Sequence, residues 1–413
     1  MTIMDRALIA VFAITLSGYS HAAEGLRTLA DTAEGMGLNG GRLIIQDDAA
    51  VVRTNPASLS KITHTTFEVT YQSWHGKTDF EGSFGQSDSM YDPWKHLGSV
   101  YIAHPINDTL TAGLGITAPF GVSIKWPREG AFKYVGAYNS NLQTVAINPA
   151  LGLKISDDLS IGFGLDIFRS KLQLEQKFPW FLAAGAGAPD GDMNFEGDGW
   201  GLGAYFGINY DIGDRHHLAL VGRLPVSVDY DGKFEITNIP APGIALPRSE
   251  FDSEIQHPGS IALGYAFDAS EKLTIGVDFE WIGNSSHDDI PLSIGANQPL
   301  LGGKTASPLN WEDSFSVGAA MEYQWTESIV LRAGYQYSES PMNQQFYTPS
   351  VPANDRHILS FGAGYTWGMN RIDLAYSLLL MGDSNIQGNI DPAINGTYDY
   401  DWNILTLSYS RQF

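Results

Sequence analysis

Cysteine is absent from all 413 residues. Disulfide bridges are therefore excluded. The absence suits an envelope protein, where a stray thiol risks oxidation, but it is equally common in the cytosol and leaves the compartment open. Basic residues are scarce, with 24 Lys and Arg against 46 Asp and Glu and a net charge of −22. That balance argues against a nucleic-acid partner, because phosphate binding calls for basic patches. Long apolar runs are missing too. No stretch beyond the first residues reaches 18 apolar positions, so membrane crossing by helices is excluded. What is plentiful is Gly (45), Phe (20), Tyr (19) and Trp (10), a mixture that favours many strands joined by Gly-rich turns.

Ala7–Gly18 is apolar, follows Arg6 and leads to Ser20-His21-Ala22-Ala23. It is shorter than the roughly 20 residues a spanning helix needs, and it reads as a secretory signal over residues 1–22. Beyond residue 64 the period is two. Phe67, Val69 and Tyr71 oppose Glu68, Thr70 and Gln72, and Leu273, Ile275, Val277, Phe279 and Trp281 oppose Thr274, Gly276, Asp278 and Glu280. Aromatic residues end several apolar faces (Trp74, Trp281, Trp325, Trp367), as at a membrane interface.

The connections alternate in length. Short ones such as Asn107-Asp108, Asp157-Asp158 and Gly213-Asp214 interleave with long ones such as 120–139, 179–196 and 285–309. Outer-membrane barrels are built with short periplasmic turns and long outer loops. Fourteen strands are predicted, near 65–74, 98–106, 109–119, 140–156, 159–178, 197–212, 216–236, 254–269, 272–284, 311–325, 328–340, 357–368, 371–383 and 400–413. An even number closes an antiparallel sheet without a free edge. The expected fold is thus all-β, a 14-stranded antiparallel transmembrane β-barrel over residues 64–413, ending on the aromatic Phe413. A barrel of this size leaves a pore unless something fills it. Residues 23–63 lack a strand pattern and contain Gly35, Gly37, Gly40 and Gly41; they read as a small N-terminal hatch, or plug, with a periplasmic tail as the plainer alternative.

Within that segment DDAAVVRTNPASL carries Asp47, Asp48, Asn55, Pro56 and Ala57. The stretch resembles the hatch motif of the long-chain fatty acid transporter family (FadL), which also includes toluene and xylene channels. GSVYIAHPIND, LTAGLGITAPFG, LQTVAINPALGLKISDDLSIGFGLDIF and HPGSIALGYAFDASEKLTIGVDFEW are similar to family strands in turn. The resemblance implies passive uptake of hydrophobic compounds across the bacterial outer membrane. Cargo would be caught among the outer loops and released sideways through a gap where the third strand kinks. Pro119, Phe120 and Gly121 occupy that place. Independently, Pro119 lacks a ladder donor and Gly121 tolerates unusual dihedrals, so a pairing defect is expected there; an ordinary loop entry is the alternative.

For ligand binding, the apolar cluster Trp180, Phe181 and Leu182 in an outer loop suits capture of a greasy molecule, against the alternative of loop–loop packing. Lys177 and Lys304 fall near the positions where fatty acid members of that family meet a carboxylate; solvated loop lysines are the alternative. Arg223 and Arg332 read as scaffold facing lumen acids. Gly302-Gly303-Lys304-Thr305 imitates a phosphate loop but has Gln298 where glycine is required. His216 and His217 are adjacent, and on a strand they point apart and cannot share a metal. No nucleophile-elbow spacing is present. No catalytic residue, metal or cofactor is expected. The expected partners are a hydrophobic small molecule (a fatty acid or an aromatic hydrocarbon) and outer-membrane lipid, with the protein a monomer. A general porin and an outer-membrane phospholipase remain as rival classes.

Overall fold

The computed structural model describes residues 26–286, 289–352 and 354–413, without the side chains of residues 304–306; the signal expected at residues 1–22 lies outside the described residues. Fourteen strands form the wall. They are β1 (Thr66–Gly82), β2 (Trp94–Pro105), β3 (Leu110–Lys125), β4 (Asn139–Lys154), β5 (Leu159–Phe178), β6 (Gly191–Ile212), β7 (His216–Arg223 with Val226–Ile236), β8 (Arg248–His257 with Ser260–Ser270), β9 (Leu273–Ile282), β10 (Ser314–Gln324), β11 (Ile329–Ser338), β12 (Arg356–Trp367), β13 (Asn370–Met381) and β14 (Gly396–Gln412). Each pairs antiparallel with its neighbour in the chain, and β14 returns to β1 from Thr66↔Gln412 to Gly82↔Gly396. The sheet is closed, the arrangement lipid requires of strands.

Alternation sorts side chains as expected. On β9, Ile275, Val277, Phe279 and Trp281 are exposed outward. Asp278 and Glu280 turn inward, where Asp278 accepts from the Arg42 and Leu43 amides (2.7 and 3.2 Å) and Glu280 pairs with Arg27 (2.9 Å). One expected girdle residue differs. Trp74 is buried and donates Nε1–H to Gln72 (3.0 Å), because it shares parity with Glu68, Thr70 and Gln72 and so faces the lumen.

Strands reach further outward than expected, as β1 to Gly82, β3 to Lys125 and β6 back to Gly191. β7 and β8 also break at the same level, at Leu224-Pro225 and Pro258-Gly259, while their register continues from Arg223↔Ser260 to Val226↔His257. Each break reverses which parity faces inward. Ala219 and Val221 are buried below the β7 break, Val226, Val228 and Tyr230 above it. Neither proline can donate to the ladder there.

Residues 26–60 lie inside the barrel, and residues 61–65, largely exposed, lead from them into β1. Together they form α1 (Ala33–Gly37), α2 (Arg42–Ile45), α3 (Val51–Thr54) and a 3-10 turn over Pro56–Lys61. These helices are too short to be stable alone in water. Their contacts with the wall hold them.

Candidate functional site

The Asn55-Pro56-Ala57 unit anchors the plug to the wall. Pro56 opens the 3-10 turn, where its missing N–H costs nothing. Asn55 caps that turn, its Oδ1 accepting from the Ala57 amide (3.2 Å). Its Nδ2 donates to the Leu43 carbonyl (2.9 Å) and to Asn209 Oδ1 on β6 (2.7 Å). Asn209 in turn donates to Ser58 Oγ (3.0 Å). The fit is close enough that the facing wall positions are glycines: a methyl on Gly162 would overlap the Pro56 carbonyl, and one on Gly207 the Asn55 side chain.

The two acids of the motif separate. Asp48 is buried and accepts from Thr32 Oγ1 (2.6 Å), Gln46 Nε2 (2.8 Å) and the Ala50 amide (3.0 Å). Burial outweighs those bonds and pushes its carboxyl up to about 6. Asp47 is exposed at the surface of the plug and meets Arg371 (3.1 Å). Arg371 also pairs with Glu34 and with Asp373 (2.8 Å). Arg332 links Glu322 (2.7 Å), Asp373 (2.7 Å) and Glu34 (3.4 Å). Glu34 thus joins plug to wall through two guanidinium groups. Arg223 pairs with Asp166 and donates to the Arg53 carbonyl (2.8 Å). The scaffold role expected of Arg223 and Arg332 therefore extends to the plug itself.

Pro119, Phe120 and Gly121 sit at a break in the wall. Pairing between β2 and β3 stops at Val100↔Ile116, although β2 stays paired with β1 out to Trp94↔His75. β3 continues along β4 with a bulge between Thr117 and Phe120. From Pro119 to Ile124 every residue is buried and the alternation is lost, as happens when a strand leaves the wall and turns inward. The free edge of β3 is taken by the plug: Thr28 N–H donates to the Pro119 carbonyl (3.0 Å) and Gly121 N–H to that of Leu26 (2.8 Å). Beside Trp94–Ser99 the ladder between β2 and β3 stays open as a window. At its outer end Asp92 joins Lys95 (2.7 Å) and Lys125 (2.9 Å).

An apolar cavity of about 300 Å³ lies above the plug. Leu26 of the plug and Val122 of the kinked β3 line its floor, Leu142, Leu172, Phe195 and Ile255 its walls, and loop residues Leu309, Phe346 and Val351 its top. Phe195 escaped sequence reading because it falls in the connection expected at 179–196, and Leu142, Leu172 and Ile255 because they lie in expected strands that were given no ligand role. The available signal was phase: Leu172 and Leu174 share parity with Ser170, which is buried inward.

The predicted loop residues lie elsewhere. Trp180 is fully buried, donates to the Thr237 carbonyl (3.0 Å) and packs edge-on against Phe178. Phe181 and Leu182 begin a short helix, Phe181–Ala184, and are exposed, Leu182 by 77%. Lys177 is buried, with Glu129 and Asp192 each 3.0 Å from its ammonium. Lys304 belongs to the strand Gly303–Pro308, and its side chain is outside the described residues.

Comparison with known proteins agrees with this architecture. A putative outer membrane protein of Neisseria meningitidis serogroup B is 25% identical over 89% of this chain and 90% of its own. The long-chain fatty acid transport protein of Escherichia coli O6:H1 is 23% identical over 89% and 88%. Among solved structures, a Pseudomonas aeruginosa FadL homologue superposes with a TM-score of 0.82 (19% identity, 94% of this chain and 100% of the other). The toluene transporter TodX of Pseudomonas putida gives 0.76 (18% identity, 93% and 99%). The family profile described as "Outer membrane protein transport protein (OMPP1/FadL/TodX)" matches residues 14–413. With that match spanning strands, kink and motif alike, the chain belongs to the FadL/TodX family of bacterial outer-membrane proteins that transport hydrophobic compounds.

Proposed function

We propose that the protein takes up a hydrophobic molecule at its outer loops, holds it in the apolar cavity and releases it sideways into the membrane through the β2–β3 window. One observation carries this reading. The same cavity is bounded by outer loops at its top and by Val122 and Leu26, beside the window, at its floor. Phe181 and Leu182 form the capture surface, with Trp180 as its support. Residues 23–63 act as the hatch, which blocks the straight route to the periplasm. Long-chain fatty acids are the leading cargo, in line with the named activity of the E. coli relative; monoaromatic hydrocarbons are second, in line with the likeness to TodX. For a fatty acid, Lys177 or Lys304 supplies the counter-charge, Lys177 by exchanging Glu129 or Asp192 for the cargo carboxylate. The protein acts as a monomer surrounded by outer-membrane lipid, with no catalytic step.

The test uses the absence of native cysteine. Gly98→Cys on β2 and Ala118→Cys on β3 flank the window, and a reducible bifunctional thiol reagent would bridge it. Uptake of labelled oleate or xylene by cells carrying this double variant should fall on cross-linking and return on reduction. Unchanged uptake in the cross-linked protein would falsify lateral release.

A further inference from the structure

The inward-turned stretch of β3 is paired with β4 on one edge and bonded to the plug on the other, and Phe120 at its hinge also meets a side chain of β8. We infer that His257, at the broken end of the outer half of β8, is a positioning residue that holds the β3 kink and thereby keeps the window open. The inference rests on the lateral-release reading and adds a second component to it from the opposite wall.

Phe120 is the first residue of β3 to resume pairing with β4 after the bulge, so it sits at the hinge of the kink. Its ring lies 4.2 Å, centroid to centroid, from the imidazole of His257, with the planes 33° apart. Phe168 of β5 meets both, edge-on to each, at 5.7 Å from Phe120 and 5.4 Å from His257. Phe120 and His257 are both fully enclosed, 3% and 1% exposed.

His257 reaches this place through the break in β8. Residues Ile255 and His257 face inward above Pro258-Gly259, whereas Ser260 and Ala262 do so below it. Without that reversal, position 257 would share the outward parity of Ile261 and Leu263 and its ring would point into lipid. Pro225 and Pro258 thus place an imidazole across the lumen from the hinge. Beyond its pairing with β4, the kinked stretch is held inward by the plug's bonds from Leu26 and Thr28 and by this ring contact.

Removing the ring takes away one of these restraints and so favours a swing back towards β2, whose edge beside the window offers a template for re-pairing. In His257→Ala, cross-linking between the cysteines introduced at positions 98 and 118 should therefore accelerate by about 2- to 10-fold, the population shift expected from losing one aromatic pair. Uptake should fall by a similar factor, with cargo retained on the purified protein at the wild-type level. His257→Phe, which keeps a flat ring, should restore both readings. Phe120→Ala should reproduce the His257→Ala phenotype, and the double variant should be no worse than either single one. Assembly is monitored by the heat-dependent gel mobility of the folded barrel, and rates are taken on the folded fraction. Unchanged cross-linking in His257→Ala and Phe120→Ala overturns the inference. If cross-linking accelerates as stated while uptake stays constant, the support role stands and the lateral-release reading fails.

Discussion

Replacing Asn55 with alanine should loosen the hatch without harming the wall. The native amide donates to the Leu43 carbonyl and to Asn209 Oδ1 and accepts from the Ala57 amide, all in a fully enclosed site. Alanine removes one cap, worth about 1 kcal/mol. It also strands two buried acceptors, at about 1–3 kcal/mol each when no water reaches them. Some relief is available, since Asn209 stays tethered to Ser58 and can tilt towards it. A net loss of roughly 3 kcal/mol is therefore the working figure, equal to about a hundredfold rise in local opening of the plug. Two measurements read it. Hydrogen exchange of amides in residues 42–61 should accelerate by about that factor while β-strand amides stay protected. Single-channel recording in planar bilayers should show brief openings more often than for the native protein. Asn55→Asp, which keeps the capping oxygen but sets a carboxylate against two acceptors, should be at least as disruptive. Native-like exchange and conductance in Asn55→Ala would refute the assignment of these three bonds as the hatch anchor.

Three further outcomes are expected. Gly162→Val places carbon where the Pro56 carbonyl sits, so it should displace the plug and raise baseline conductance, with the folded-barrel gel mobility kept. Leu172→Asp sets a charge in the apolar cavity and should lower hydrophobic uptake at least about tenfold, the desolvation of a carboxylate being several kcal/mol; uptake within twofold of native would remove the cavity from the route. Asp48 holds its proton up to about 6, against 3.8 when free, so the folded hatch binds more protons than the open one between those values. Its docking is firmest below about pH 4, weakens as pH rises to about 6 and is flat above. Asp48→Asn should flatten that slope in protease-protection assays of residues 26–63.

Much of the wall was legible because lipid enforces a strict inside–outside code. β5 was expected at 159–178 and occupies Leu159–Phe178; β4 and β9 agree to within two residues at each end. What alternation hides is a change of phase. The strand expected at 216–236 contains a reversal at Leu224-Pro225, and two half-strands of opposite phase look like one strand with a proline in it. The outer halves misled for a related reason: there the inner face turns apolar, so Leu142 lines a cavity from an expected strand, and Phe195, expected in the loop 179–196, does so from the outward extension of β6. Local chemistry did better at the kink, since a proline lacks the amide that a central ladder position needs and therefore favours a bulge or an edge, as at the bulge between Thr117 and Phe120. Loop residues were least legible. That Trp180 folds under while Leu182 stands out depends on Thr237 from a distant loop, and no local pattern encodes it.

The plug is fastened at both ends, its first described residues to β3 and its last running directly into β1. A segment pinned in this way resists being drawn out like a cork, which suits a route that passes beside it and needs no energy source to reset it. Without an energy source such a conduit can only let its cargo run down a gradient, and net import would then depend on what consumes the cargo on the far side.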